Sequence, residues 1–368
     1  MPSTISKEIM KKLIKKLRRQ KTEETPSRIT NETIAEHREK ILAGGRRFKY
    51  PVQYARHKLV INVIAIAIAV LVLVSSLVYW QLYHAQSSSD LMYRVTRVLP
   101  LPVASVDGEQ VSYSDYLMKY RSSLHFMVEK EQISLKTDDG KQQADYYKQK
   151  SMEYAISGAY ATKLARQYNL SVSSEELQQF LTQQRESYGS LSESSYNAIF
   201  LDAYNWSPDE YEHVIRNELL RVKVAYQIDQ DASAAAESAK SFSNSTQDLK
   251  KITEQVTAKH KEVQATYGIS GMVPKDNKDG GLAKIAATLK PGQLSDILKP
   301  TAGNGKPATG DGYYIIKVLE STESSVSYEY IHIALSEFNK QLKSLEEAGK
   351  INEYITIPKT DQVRESAS

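Results

Sequence analysis

The sequence predicts an α+β protein: one transmembrane helix, then a mainly helical domain, then a small α+β domain. Three observations predict it. Residues 59–83 carry no charge. Apolar residues recur at helical spacing from Ser114 to about Gln227. Two late runs, 313–319 and 326–335, are rich in β-branched and aromatic residues, as strands are. Helices followed by strands, instead of alternating βα units, make the class α+β.

The apolar segment comes first in the argument. A helix needs about 20 apolar residues to cross a hydrocarbon core of roughly 30 Å. The stretch 59–80 of this segment meets that length, with Asn62 as its one strongly polar interruption. A buried core helix is the competing reading, but such helices are seldom apolar all round for six turns. The flanks set an orientation. Residues 1–58 carry a net charge of +10 and the rest of the chain −6. The positive-inside rule therefore puts 1–58 in the cytoplasm, with Arg46, Arg47, Lys49, Arg56 and Lys58 nearest the membrane, and 84–368 outside it. A cleaved signal peptide is the rival, with Ala85-Gln86-Ser87 as a weak small-x-small site. Its apolar region runs only about 7–15 residues, so the longer run here favours an uncleaved signal-anchor.

In the basic tail, Ile5, Ile9, Met10, Leu13, Ile14 and Leu17 share one helical face, with lysines and arginines on the other. Such a helix suits an anionic inner leaflet or a cytoplasmic partner such as RNA; a solvated basic helix that only enforces topology is an equal reading. A second helix is expected from Asn31 to a stop at Gly44-Gly45. Residues 84–101 read as a linker, polar at Gln86-Ser87-Ser88-Ser89-Asp90.

Beyond it, 103–106 read as a short strand, Asp107-Gly108 as a tight turn, and Val111 as the return toward a helix. A long helix is expected over 145–168, ending at Asn169, with Met152, Ile156, Ala159, Tyr160, Leu164 and Ala165 near one face. Ser173-Ser174-Glu175-Glu176 has the form of a capping start. Ser207-Pro208-Asp209-Glu210 starts another helix, which turns Tyr211, Val214, Ile215, Leu219 and Val222 inward. Further on, a helix is expected over 247–267, a charged Gly-containing loop over 275–281 and a Gly/Pro loop over 300–312. The two strand candidates follow. The absence of cysteine leaves stability to ordinary hydrophobic cores.

Several of these segments carry a resemblance. Val103-Ala104-Ser105-Val106-Asp107-Gly108-Glu109, with Ser112 and Tyr116, opens a block continued by Ala161–Ala165, Leu170–Ser173 and Glu175-Glu176-Leu177. Trp206 through Tyr211, Ile215-Arg216 and Leu219-Leu220 close it. Residues 102–228 so resemble the N-terminal chaperone domain of SurA/PrsA-type foldases. In the last third, Gly280-Gly281-Leu282, Leu289 through Ser295 and Gly312 through Val318 resemble, in order, three landmarks of a parvulin-type prolyl isomerase domain. Tyr330-Ile331-His332-Ile333-Ala334-Leu335 looks like that family's histidine-bearing first strand, here placed after the other landmarks. The implied division is 1–58 tail, 59–83 span, 84–101 linker, 102–228 chaperone domain, 229–357 degenerate parvulin-like domain and 358–368 tail.

The departures narrow the chemistry. Tyr314 stands where the family usually has a histidine, and the interval between the Gly-Gly-Leu and Pro-Gly landmarks holds only residues 283–288, so the proline-pocket Met and Phe have no counterpart. Prolyl isomerisation needs an apolar slot and a polar network that favours a twisted amide across a barrier of about 20 kcal/mol. His332 and Tyr314 are the catalytic candidates, although a lone strand histidine is more often structural. No metal or cofactor is expected: His37, His57, His84, His125, His213, His260 and His332 are scattered, and Lys278 sits where the calcium-loop-like Asp276–Gly280 would need a ligand. Thirteen of the 24 tyrosines fall in 102–228. Tyr113, Tyr116, Tyr120 and Tyr154, with Trp206, are therefore candidate contacts for unfolded, exported polypeptides, the alternative being that they pack helices together. The expected function is a membrane-anchored extracytoplasmic chaperone, held in lipid by 59–83. An active prolyl isomerase and a non-catalytic membrane adaptor are the alternatives.

Overall fold

The computed structural model describes residues 30–300 and 312–358. The basic helix expected at 5–17, the loop over 301–311 and the tail from 359 lie outside them. The chain divides into two compact units, Met1–Leu77 and Val78–Ser368.

Helix α1 runs Asn31–Tyr79 and continues as a π-helical turn, Trp80–His84. Within it, His57–His84 is long and apolar enough to cross a membrane, with mean hydropathy 2.8 over its most apolar 18 residues, none of which is buried. The expected stop at Gly44-Gly45 does not occur, because the helix passes through it. Glycine costs about 1 kcal/mol in a helix interior but removes no backbone hydrogen bond. It lowers helicity without ending the helix.

The second unit begins inside its own core. Leu82 is fully buried, the Tyr83 hydroxyl donates to the Pro102 carbonyl at 2.7 Å, and the Tyr113 hydroxyl donates to the Leu82 carbonyl at 2.5 Å. Helix α2 (Asp90–Val98) buries Met92, Tyr93 and Thr96. Residues 84–101 are therefore not a free linker. The serines that made the stretch look unstructured supply the cap of α2, with Ser89 accepting from the Met92 amide.

Strands β1 (Pro102–Val106) and β2 (Glu109–Ser112) form a hairpin. Its two-residue turn takes positive φ at Asp107 (46°) and Gly108 (82°), as the matching turn type requires. Five helices follow: α3 (Tyr113–His125), α4 (Asp138–Gln167), α5 (Ser174–Ser187), α6 (Glu193–Tyr204) and α7 (Pro208–Ile228). The Ser173/Glu176 and Ser207/Glu210 pairs form reciprocal capping boxes at α5 and α7, and Asn169 takes left-handed φ just past α4. Helix α4 starts seven residues before the expected point, capped by Thr137.

A second, three-stranded sheet follows α8 (Gln230–Phe242) and α9 (Leu249–Lys259). It orders β3-β5-β4, all antiparallel, from β3 (Ala265–Pro274), β4 (Gly312–Ser321) and β5 (Ser325–Ala334), with the short helix α10 (Leu282–Ala286) between β3 and β4. The helix expected over 247–267 ends at Lys259, and its last residues open β3. Gly268, Gly271 and Pro274 had masked that strand.

The chain then returns to the first core. Helix α11 (Glu337–Glu347) buries Phe338 beside Tyr160, and β6 (Ile351–Glu353) pairs with β1 to complete the sheet β2-β1-β6. Ile355 is buried in the same cluster. The expected block 229–357 is thus divided: 230–334 build the second sheet and its helices, while 337–355 close the first core. Apolar patterning marks what is buried, and it carries no label for which core buries it.

Candidate functional site

Strand β5 is central, and its burial changes phase along its length. Val326 and Tyr328 are buried on one face, Ile331 and Ile333 on the other. Helices α8 and α9 cover the Ile331/Ile333 end through Ala232, Ala235, Ala236, Leu249, Ile252 and Val256. Helix α10 covers the opposite face at the Val326/Tyr328 end through Leu282, Ala283 and Ala286. Among the described residues, helices thus cover each face at one end only. On the α10 face, the far end holds Tyr314, Tyr330 and His332, all half-buried.

Register brings these three together. Tyr314 lies directly opposite His332, and their rings stack with centroids 4.5 Å apart. The Tyr314 amide and carbonyl bond to Leu298 on its other side, at 2.8 and 2.7 Å. Tyr314 and His332 are therefore a non-hydrogen-bonded pair, the class in which side chains approach most closely. Tyr330 is 5.8 Å from Tyr314, and it lies across Gly268, where a Cβ would meet its ring. Beneath, Tyr328 donates to Asp279 at 2.6 Å, and Asp279 also accepts from the Ala283 amide at 3.0 Å. That contact with Asp279, after burial, raises the Tyr328 pKa. Asp279 thus ties the 275–281 turn to α10 and to the sheet.

Strand β3 adds an edge. The Ala334 amide donates to the Gln264 carbonyl at 2.9 Å, which makes 264/334 a hydrogen-bonded pair. By alternation, the main-chain groups of Ala265, Tyr267 and Ile269 face away from β5. Among the described residues no strand pairs with that side. The ten residues of β3 carry no charge, and Ile269 and Met272 are exposed; the edge is interrupted by a bulge between these two residues and closed by Pro274, which leaves residues 265–269 as its uninterrupted, uncharged stretch.

The aromatic candidates of the helical region sit elsewhere. Tyr113, Tyr116, Tyr120 and Trp206 are buried in the first core, and Tyr154 is half-buried with its hydroxyl enclosed. Tyr116 packs edge-on to Tyr113 and stacks on Tyr120 at 5.9 Å. Trp206 stacks on Tyr204 at 5.0 Å, and the Lys119 ammonium lies 5.3 Å from the Tyr154 ring and 5.6 Å from the Trp206 ring. Burial lowers the Lys119 pKa and lifts that of Tyr120 to about 12. These groups pack against one another and hold helices together, with Tyr154 the one left half-exposed.

Sequence reasoning did not find a cavity of about 300 Å³ among α2, α3 and α7, lined by Tyr93, Arg97, Asp115, Met118, Glu210 and His213. His213 contacts Asp115 at 2.9 Å, and that bond raises the imidazole pKa. Tyr93 donates to Glu210. The residues come from three helices, with α7 close to a hundred positions from the other two, so no local spacing could have announced them. Nor was the outer edge of β3 anticipated, although the Tyr328, Tyr330, His332 alternation was visible.

Comparisons with curated proteins and with solved structures return no match. Residues 53–225, from within α1 to near the end of α7, match the family model of the SurA-like N-terminal domain, which supports a SurA/PrsA-type chaperone domain over that stretch.

Proposed function

We propose that the chain is a membrane-tethered chaperone that holds unfolded, exported polypeptides at its second sheet. The match of 53–225 to the SurA-like N-terminal domain carries this reading. The His57–His84 helix and the basic flank before it supply the tether and its orientation, with the second unit outside the cytoplasm. The edge of β3 supplies main-chain donors and acceptors to an extended segment, and Tyr330, which lies across Gly268 of that strand, takes one of its apolar side chains, with Tyr314 and His332 extending the aromatic face behind it. Clients need no defined sequence for this, because the edge reads backbone.

The test is suppression of aggregation of a chemically unfolded client by the full chain in detergent. Ile269→Lys together with Tyr330→Ala is expected to cut suppression several-fold while leaving the fold intact. Undiminished suppression by that variant would place the clients elsewhere.

A second reading, prolyl isomerisation, is favoured by the stacked Tyr314–His332 pair, an aromatic wall with an imidazole beside it. The interval that holds the proline pocket in parvulins is occupied here by α10, which weighs against it. Protease-coupled turnover well above background, lost in His332→Ala, would establish the activity.

A further inference from the structure

Helix α2 has a buried face and an outward one. Met92, Tyr93 and Thr96 point into the first core. Leu91 (66% exposed), Arg94 and Val98 (80% exposed) stand at i, i+3 and i+7, on one outward stripe, with Leu99 continuing it and Arg97 beside it. One exposed leucine needs no explanation. A stripe of three apolar side chains with Arg94 among them, on a helix whose other face is already satisfied, has the composition of a helix that lies in a lipid headgroup layer; Arg97 is turned toward Glu210 and the Tyr93 ring instead.

Position favours the same partner. Only five residues separate His84, where the apolar span ends, from Asp90, where α2 begins. Extended chain covers at most about 20 Å over that interval. Both ends are fixed in one core, because Leu82, Met92 and Tyr93 pack in the same cluster. Tyr79 and Trp80 are exposed at the end of the span, where amphipathic aromatic rings mark a membrane–water boundary. The Arg94–Asp90 pair, 2.8 Å long and solvent-exposed, is the kind worth about 0–1 kcal/mol, so its guanidinium can exchange to a phosphate.

We propose that the outward face of α2, formed by Leu91, Arg94, Val98 and Leu99, beds into the headgroup layer of an anionic phospholipid leaflet. The apolar side chains enter the acyl boundary, and Arg94 stays at phosphate depth. The first core would then lie on the membrane surface by direct contact as well as by its tether. This rests on the reading of His57–His84 as a membrane span.

The absence of cysteine makes the test direct. Val98→Cys and, as a reference on the second sheet, Leu319→Cys are each labelled with an environment-sensitive fluorophore in the full chain. Each is then placed in nanodiscs of phosphatidylcholine with or without phosphatidylglycerol and titrated with iodide. Several-fold protection at 98 relative to 319, stronger with phosphatidylglycerol and weakened by Arg94→Glu, is the expected result. Equal quenching at the two positions, in a chain that resists carbonate extraction, overturns this inference alone. A chain that carbonate extracts overturns the span reading and this inference with it. Protection at 98 only after addition of an unfolded polypeptide, regardless of lipid charge, assigns the face to clients and likewise overturns it.

Discussion

The two aromatic clusters of the second unit are made of the same residue type and do opposite things. In the helical core, tyrosine hydroxyls find internal acceptors: Tyr113 reaches Leu82, Tyr160 reaches Gln341 at 2.8 Å and Tyr93 reaches Glu210. There tyrosine behaves as a large apolar residue with one satisfied polar tip. On the β4–β5 pair, Tyr314 and Tyr330 stay half-open because the helices cover each face of the sheet at one end only. Tyrosine abundance therefore does not locate a binding surface. Coverage decides which aromatic side chains stay exposed, and coverage is set by the layer above.

The largest expected effect breaks the comparison at its boundary. Phe338 comes from the far side of the second sheet, yet it is buried against Tyr160 in the first core. Phe338→Ala should cost about 3–5 kcal/mol, seen as a large fall in denaturation midpoint. A cost below about 1 kcal/mol would mean that the returning segment decorates the first core without closing it.

The next contrast sets one cluster against the other. Tyr116→Ala should destabilise by about 3 kcal/mol or more, because it empties a site 3% exposed between Tyr113 and Tyr120. Ile269→Lys, on an edge side chain 56% exposed, should change stability by no more than about 0.5 kcal/mol. If client holding is lost with the lysine and kept in whatever fraction of Tyr116→Ala stays folded, the two roles separate. Equal stability loss in both variants would erase the distinction.

What could be read from the chain in advance was local. The caps at Ser173 and Ser207, the Asp107-Gly108 turn, the long apolar helix and strands β4 and β5 are each written in a few neighbouring residues, and each formed. The SurA-like character of the middle block was legible as well, from several short motifs in order. What failed was non-local. Phe338 and Ile355 look like any amphipathic ending until β6 is seen beside β1. Strand β3 hid behind Gly268, whose missing side chain is what lets Tyr330 lie across it. The His332–Tyr314 pairing was legible only as two candidates, since their contact depends on the register between strands.

The smallest expected effect concerns the cavity among α2, α3 and α7, where the helical core is most polar. His213 of α7 faces Asp115 of α3, which raises its pKa, while Arg97 of α2 and Arg216 on its own helix oppose the rise; Asp209 and Glu210 also line the cavity. A folded-state pKa above the unfolded value of about 6.5 means that the link stabilises fully below that pH. Its contribution is then lost as pH rises through the folded value. The His213 side chain is 46% exposed, so solvent screening holds the contribution to about 1 kcal/mol or less. His213→Gln should therefore differ most from the parent near about pH 5.5 and converge with it toward about pH 9. A difference independent of pH would make the imidazole a packing group, like the tyrosines around it, and the helical core would then hold no titrating contact at this cavity.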